Sequence, residues 1–104
     1  MTTAVRPNAA AEQEFREYVE WYERESVGLG HRLWSDIEAA ITLIAAYPSI
    51  GEIVQRTRVR EPVRRLPLRH FPFLLVYREH PDHLEVVALA HTSRKPKYWR
   101  RRLT

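Results

Sequence analysis

The chain has 104 residues, a length that supports one domain around a single hydrophobic core and excludes two. Hydrophobic residues make up 44% and charged residues 29% of it, which is the composition of a folded chain and not of a disordered one. Without cysteine it can form no disulfide or thiolate metal site, and its charge-interrupted apolar stretches predict no secretion signal, no membrane span and a cytoplasmic location.

The first half has the pattern of two amphipathic helices joined by a short linker. In residues 9–25 apolar side chains recur in steps of three and four, and Asn8 is a suitable N-cap. A second apolar stripe follows Ser26, which we expect to cap that helix, and Pro48 ends it. We therefore predict an antiparallel helix hairpin over about residues 9–47.

The second half changes to the period of β-strands. Residues 63–71 alternate imperfectly, residues 73–79 form a continuous apolar run typical of a central strand, and residues 84–92 form a third candidate after a turn. One apolar face of such a sheet needs a cover, and the helix hairpin needs a surface to pack against. We therefore predict a single α+β domain over residues 1–104, in which the helix hairpin packs on one face of a small antiparallel β-sheet at about 59–92.

Positive charge is concentrated in the second half of the chain. Residues 1–50 carry 4 Arg and 8 acidic residues, a net charge of −4. Residues 51–104 carry 13 Lys or Arg and 5 acidic residues, a net charge of +8, and the two halves sum to the formal +4. Since the helices cover one face of the sheet, we expect the arginines on its other face or rim and in a basic tail at 93–104. Such a surface attracts polyanions or acidic proteins.

Five side chains of the basic half could support RNA cleavage, which needs a base, an acid and cations that stabilise the phosphorane. These candidates are Arg65, Arg69, His91, Arg94 and Tyr98. A phosphate could be held between the two strand arginines and the tail. Each candidate also has a structural interpretation, since a histidine at a strand end is often only hydrogen-bonded and strand arginines are often solvated. The residues alone therefore favour a binding protein with a basic face over an enzyme, and they indicate neither a metal site nor a cofactor.

Two aromatic residues lie inside the basic tail. Tyr98 and Trp99 could stack on nucleic-acid bases, or they could pack back on the sheet and pin the tail to it. We expect the packing, because an aromatic pair next to a strand more often joins a core. The three arginines at 100–102 would then form an exposed surface that faces a partner or a target.

Four segments, taken in order, resemble the ParE/RelE superfamily of bacterial type II toxins. They are EYVEWYERE in the first helix, YPSIG at the end of the second, VRRLPLRHFPFLLVYRE in the sheet and VVALAHTSRKPKYWRRR at the end. The resemblance extends over about residues 9–102 and is greatest to the ParE branch. It implies two helices packed on a twisted antiparallel sheet, in agreement with the fold predicted above.

The resemblance also implies a function. ParE-type toxins are associated with inhibition of DNA gyrase, RelE-type toxins with cleavage of mRNA on the ribosome, and both with a cognate antitoxin that neutralises them. RelE-type nucleases carry lysines on the strand side, and here the two lysines of the basic half both lie in the tail. The resemblance therefore favours a growth-inhibiting toxin that binds gyrase over a metal-independent endoribonuclease. A plain nucleic-acid-binding domain, with steeply salt-dependent affinity, is a third possibility.

An antitoxin segment with acidic residues between apolar anchors would find cations on the sheet side and apolar grooves beside the helix hairpin. We expect that segment to be partly disordered when free and to form a hetero-oligomer with this chain. The residues expected to contact the antitoxin or the target are Arg64, Arg65, Arg69, Arg94, Lys95, Tyr98, Trp99 and Arg100.

Overall fold

The computed structural model describes residues 2–95 and 97–103, so Met1 and two residues of the predicted tail, Pro96 and Thr104, lie outside the described residues. The helices are α1 (Ala9–Glu25) and α2 (Leu29–Ala46). The strands are β1 (Val5–Pro7), β2 (Glu52–Ile53), β3 (Val63–Pro67), β4 (Phe73–Glu79) and β5 (Leu84–His91). A 3₁₀ helix spans Tyr98–Arg102.

The strands form one sheet in the order β1-β5-β4-β3-β2. Strands β2 to β5 pair antiparallel, whereas β1 runs parallel to β5. Both helices pack on one face, so the predicted α+β architecture of two helices on a small sheet is confirmed. The sequence pattern does not predict β1 and β2, because three and two residues are too few to show a period. Strand β3 ends at Pro67 and not at residue 71, because residues 68–72 turn the chain into β4.

The predicted N-cap is confirmed for α1, whereas the N-cap predicted for α2 is wrong. Asn8 caps α1 as predicted, since its side-chain oxygen accepts a hydrogen bond of 2.8 Å from a backbone N–H of the first turn. Ser26, predicted to begin α2, instead ends α1. The N-cap of α2 is Gly28, whose positive φ of 90° is a conformation that glycine adopts readily. The carboxylate of Glu23 takes over the capping, because it accepts hydrogen bonds from the N–H groups of Gly28 and Gly30 at 2.9 and 3.0 Å.

The sheet carries an apolar core on each face. The core under the helices includes Phe15, Leu33, Ile37, Phe73, Leu75 and Leu89. The core on the other face includes Val63, Val76, Val87, Ala88, Trp99 and Leu103. A bulge in β5 changes which face its side chains point to. Val86 and Ala88 pair with consecutive residues of β4, so Val87 is an extra residue. Val87 and Ala88 both lie in the second core, and Leu89 then returns to the first.

The second core decides where the arginines lie. Trp99 and Leu103 are each only 3% exposed, and they cover the face of the sheet that the helices leave open. Four cations, Arg65, Arg94, Lys95 and Lys97, line a groove beside this core, whereas Arg69 lies on the helix side, beside α2.

Gly30 lets α1 and α2 approach closely. A Cβ at this position would lie 2.5 Å from the carbonyl oxygen of Val19 in the backbone of α1. We expect Gly30→Ala to lower the free energy of unfolding by about 1–3 kcal/mol, although alanine ordinarily favours a helix. Urea denaturation measures the change. Ser35→Ala, at an exposed position of the same helix, should alter stability by less than about 0.5 kcal/mol. A Gly30→Ala protein as stable as the parent would contradict the close approach.

Candidate functional site

A groove on the rim of the sheet brings together four of the five candidates for catalysis. It has a volume of about 180 Å³, and Arg65 of β3, His91 at the end of β5, and Arg94 and Tyr98 of the tail line it. Arg69 lies on the turn after β3 and lines a different cavity, beside α2. The two arginines that the sequence suggests as one side of a phosphate site therefore do not share a site.

The tail side of the groove is held by Glu14 of α1, which is only 7% exposed. One of its carboxylate oxygens accepts hydrogen bonds from the backbone N–H of Leu89 at 3.0 Å and from Arg102 at 2.9 Å. The other accepts the Tyr98 hydroxyl at 2.5 Å and a second nitrogen of Arg102 at 3.1 Å. The guanidinium of Arg94 lies 3.8 Å from this carboxylate and 3.8 Å from the centre of the Tyr98 ring. Glu14 thus connects α1, β5 and the tail.

Two side chains pair with the backbone of β5 where that strand has no neighbouring strand among the described residues. Strand β1 ends at Pro7, and beyond that point the outer edge of β5 has no neighbouring strand in the described part of the chain. There Glu14 accepts the N–H of Leu89, and Arg102 donates to the carbonyl oxygen of Val87 at 3.0 Å. Side chains therefore satisfy backbone groups that would otherwise stay unpaired or offer an edge to another chain.

Tyr98 is poorly suited to act as an acid or a base in this structure. Burial raises its pKa well above the ordinary 10.0, and the hydrogen bond to Glu14 raises the pKa further. The positive charges of Arg94 and Arg102 oppose this rise in pKa but have smaller effects. Efficient acid–base catalysis needs a pKa near the working pH. At neutral pH Tyr98 is a hydrogen-bond donor that fixes the tail.

His91 also has a structural role. The backbone N–H of Ser93 donates to its Nδ1 at 3.0 Å, so this nitrogen acts as a hydrogen-bond acceptor. The ring packs edge-on against Phe73 and roughly parallel to Tyr18, with centroids 5.1 and 6.4 Å away. With Nδ1 as the acceptor, Nε2 carries the ring proton and can donate a hydrogen bond.

Several predicted partner-binding residues are engaged by the fold itself. Arg64 donates to the carboxylate of Glu79 in β4 at 2.8 Å. Arg100 donates to two backbone carbonyls of the loop before β3, at 2.7 and 2.8 Å. Trp99 packs in the second core and pins the tail, as one of the two interpretations of the aromatic pair predicts. Of the three arginines at 100–102, Arg101 is exposed and the other two are partly buried, so the prediction of an exposed cationic end holds for Arg101 alone.

Four cations around the groove are open to a partner. Arg94, Lys95 and Lys97 are exposed, and all three line the groove. Arg65 is partly exposed and donates to Glu52 of the edge strand at 2.6 Å, an exposed ion pair that contributes little stability. Within the described residues the groove therefore presents positive charge without an assembled acid–base pair.

A family model described as the ParE toxin of type II toxin-antitoxin system, parDE, matches residues 5–96. The chain belongs to the ParE toxin family. The matched region contains both helices and all five strands, so the resemblance seen in the sequence is confirmed and the chain is the toxin component of a type II toxin–antitoxin system.

The fold comparison agrees with the assignment to the ParE family. Ten chains of solved structures match significantly, among them one from a structure described as the chromosomal ParDE TA system from P. aeruginosa. That match has a TM-score of 0.70 and covers 88% of this chain and 98% of the other at 15% sequence identity, so it shows a shared fold. No curated protein matches significantly. No helix within residues 2–95 and 97–103 has the length and apolar character needed to cross a membrane.

Two buried carboxylates of this ParE-family chain are absent from the residues predicted above, although the sequence contains a signal for both. Glu14 lies three residues after Ala11 and four before Tyr18, which places it on the apolar stripe of α1. Asp36 lies in the same way between Leu33 and Ala40 on the stripe of α2. Both are 7% exposed. An acidic residue at a core-facing position predicts a buried partner, because an unpaired buried charge is too costly to keep.

We expect Glu14→Gln to destabilise the fold and to loosen the tail. Glutamine cannot pair with the guanidinium of Arg102, whose side chain would stay charged while only 20% exposed. Breaking a buried ion pair in this way costs about 3 kcal/mol. Urea denaturation measures the loss, and faster tryptic cleavage within residues 100–102 reports the loosened tail.

Glu12→Gln is the matched control for Glu14→Gln. Glu12 lies on the same helix, and its ion pair with Arg16 is long, at 4.0 Å, and exposed. Its loss should change stability by less than about 0.5 kcal/mol. Equal stabilities and equal rates of cleavage in the two variants would contradict the central role of Glu14.

Proposed function

We propose that this ParE-family chain inhibits growth by binding DNA gyrase in the cytoplasm, and that a cognate antitoxin neutralises it in a hetero-oligomeric complex. Membership of the ParE family supports an action of the ParE type. The observation that carries the choice of binding over RNA cleavage is the hydrogen bond by which Glu14 holds the hydroxyl of Tyr98. On this proposal the chain is a binding protein and not an enzyme.

The arrangement around the groove argues against an endoribonuclease of the RelE type. RNA cleavage needs one group that accepts a proton and another that donates one. His91 holds a lone pair at Nδ1 that Ser93 already occupies, and the proton of Tyr98 is donated to Glu14. The arginines can bind a phosphate and stabilise its charge, but a guanidinium stays protonated near neutral pH and cannot act as the base.

The accessible cations of the groove form the proposed contact with gyrase. Lys95 and Lys97 are exposed at the tail, and the guanidinium of Arg94 lies 3.8 Å from the centre of the Tyr98 ring. Arg94 is already oriented by that ring and by the carboxylate of Glu14, so less side-chain entropy is lost when a partner binds. Complementary charge requires an acidic patch on the partner.

The proposal predicts that the purified chain inhibits supercoiling by gyrase and leaves transcripts intact in a translation reaction. Lys95→Ala/Lys97→Ala should weaken gyrase inhibition about ten-fold or more, because two charges are removed from the contact. Arg6→Ala/Arg24→Ala is the matched control, since it removes two exposed cations from β1 and α1. The control should inhibit like the parent.

Two outcomes would contradict the proposal that the chain binds gyrase. Cleaved mRNA in the translation reaction, abolished by Arg65→Ala or Arg94→Ala, would establish the ribonuclease instead. Equal losses of gyrase inhibition in the two double variants would show that the assay responds to net charge and not to the groove. Inducible expression with and without the adjacent reading frame adds the test of neutralisation, because growth should recover only when the antitoxin is present.

A separate surface suits the antitoxin. Between α1 and α2 lies a mainly apolar groove of about 340 Å³, lined by Phe15, Val19, Trp34 and Ile41, with the ion pair of Glu12 and Arg16 also in its wall. Trp34 is 38% exposed, and its ring meets that of Phe15 edge-on at 6.1 Å. An amphipathic antitoxin segment places apolar side chains in such a groove while its acidic residues reach cations of the toxin. This surface is distinct from the cationic groove on the sheet rim.

Trp34→Ala should weaken antitoxin binding about ten-fold or more, because a central aromatic side chain is the usual anchor of such a groove. Calorimetry with the protein encoded by the adjacent reading frame measures the affinity. Tyr47→Ala, a 63% exposed aromatic residue at the other end of α2, should bind like the parent. Unchanged affinity in Trp34→Ala, with the fold intact by circular dichroism, would place the antitoxin elsewhere.

A further inference from the structure

A second cationic cavity lies on the other side of the molecule, between α2 and the turn that joins β3 to β4. It has a volume of about 350 Å³, and its wall includes Arg32, Asp36, Arg69 and His70. Neither the proposed gyrase contact nor the proposed antitoxin groove uses these residues.

A buried aspartate orients the imidazole at this cavity. Asp36 is 7% exposed, and one of its carboxylate oxygens accepts the backbone N–H of His70 at 2.7 Å. The other oxygen lies 2.8 Å from Nδ1 of the same histidine, whose side chain is 65% exposed. A carboxylate accepts hydrogen bonds and does not donate them, so Nδ1 carries a proton. The remaining nitrogen, Nε2, has no hydrogen-bond partner among the described residues.

The same geometry leaves two arginines without a counter-ion. Arg32 lies four residues before Asp36 on α2, a spacing at which the two charges ordinarily pair. Both oxygens of Asp36 are instead turned to His70. Across residues 2–95 and 97–103, no carboxylate lies within 4 Å of the guanidinium of either Arg32 or Arg69. The cavity therefore combines two unneutralised guanidinium groups with an oriented imidazole.

We propose that this cavity is a binding site for a phosphate group, held by Arg32 and Arg69, with Nε2 of His70 donating a third hydrogen bond when the imidazole carries both ring protons. Guanidinium groups bind phosphate through paired N–H donors, and two of them with an imidazole surround a ligand that has three or four oxygens. A carboxylate has only two oxygens, which a single arginine already satisfies. The phosphate comes either from a free or terminal phosphate or from the phosphodiester of a nucleic acid. This site is independent of the proposed function.

Nuclear magnetic resonance of the whole chain tests the phosphate site, with the side-chain nitrogens of His70 and the arginines as probes. Inorganic phosphate, added at constant ionic strength, should shift the resonances of His70, Arg32 and Arg69 together and saturate. Sodium acetate should bind at least about ten-fold more weakly, a difference of about 1.4 kcal/mol. A dinucleotide without a terminal phosphate and the same dinucleotide with a 5′-phosphate distinguish the two sources. If the first binds, the ligand is a diester; if only the second binds, the ligand is a terminal phosphate.

Arg32→Gln/Arg69→Gln should weaken phosphate binding about ten-fold or more. Both side chains are exposed, so the variant keeps the fold. Arg24→Gln/Arg101→Gln, which removes two exposed charges elsewhere, should bind phosphate like the parent. Equal weakening in both variants, acetate binding as tight as phosphate, or an absence of saturable shifts at His70 would each overturn the proposal.

Discussion

The buried carboxylate of Glu14 is the interaction on which α1, the edge of β5 and the tail all depend. Strand β1 is short, and its last residue pairs with Val86 of β5, just before the bulge at Val87. Beyond that point the outer edge of β5 has no neighbouring strand in the described chain. Glu14 and Arg102 satisfy backbone groups along this edge, and they are paired with each other. One ion pair therefore closes the edge of the sheet and fixes the tail that covers its second face.

A second buried acid repeats this arrangement on α2. Asp36 holds His70 and the turn after β3, as Glu14 holds Tyr98 and Arg102. In both cases a carboxylate from the net-negative half of the chain fixes a segment of the net-positive half. These two contacts explain part of the uneven charge distribution, because the buried acids serve as internal partners. Most of the remaining positive charge stays on the surface, where it can act on other molecules.

The sequence predicts the helices and strands that have a periodic pattern of apolar residues. It misses the features that depend on a contact made by a single side chain. Both helices and the three longest strands, β3 to β5, follow from periodic patterns more than five residues long, apart from the end of β3. The capping of α2 by Glu23 is missed because its donors lie on the next helix. In the site, Glu14 is separated from Tyr98 and Arg102 by 84 and 88 positions, so its place on an apolar stripe indicates a buried partner without naming it. For the same reason the sequence groups Arg69 with the tail, whereas the turn after β3 carries it to α2.

A folded tail changes what its cations can do. If residues 97–103 were disordered when free, a partner would have to order each long side chain, at a cost of about 0.5–1.5 kcal/mol for each one. Here Trp99 and Leu103 are buried and Tyr98 is held by Glu14, so the tail itself and the guanidinium of Arg94 beside Tyr98 are ordered when the chain folds. The same hydrogen bond withdraws the one phenol of the groove from proton transfer. A preorganised arginine together with an occupied phenol suits the proposed role, in which this surface recognises a partner.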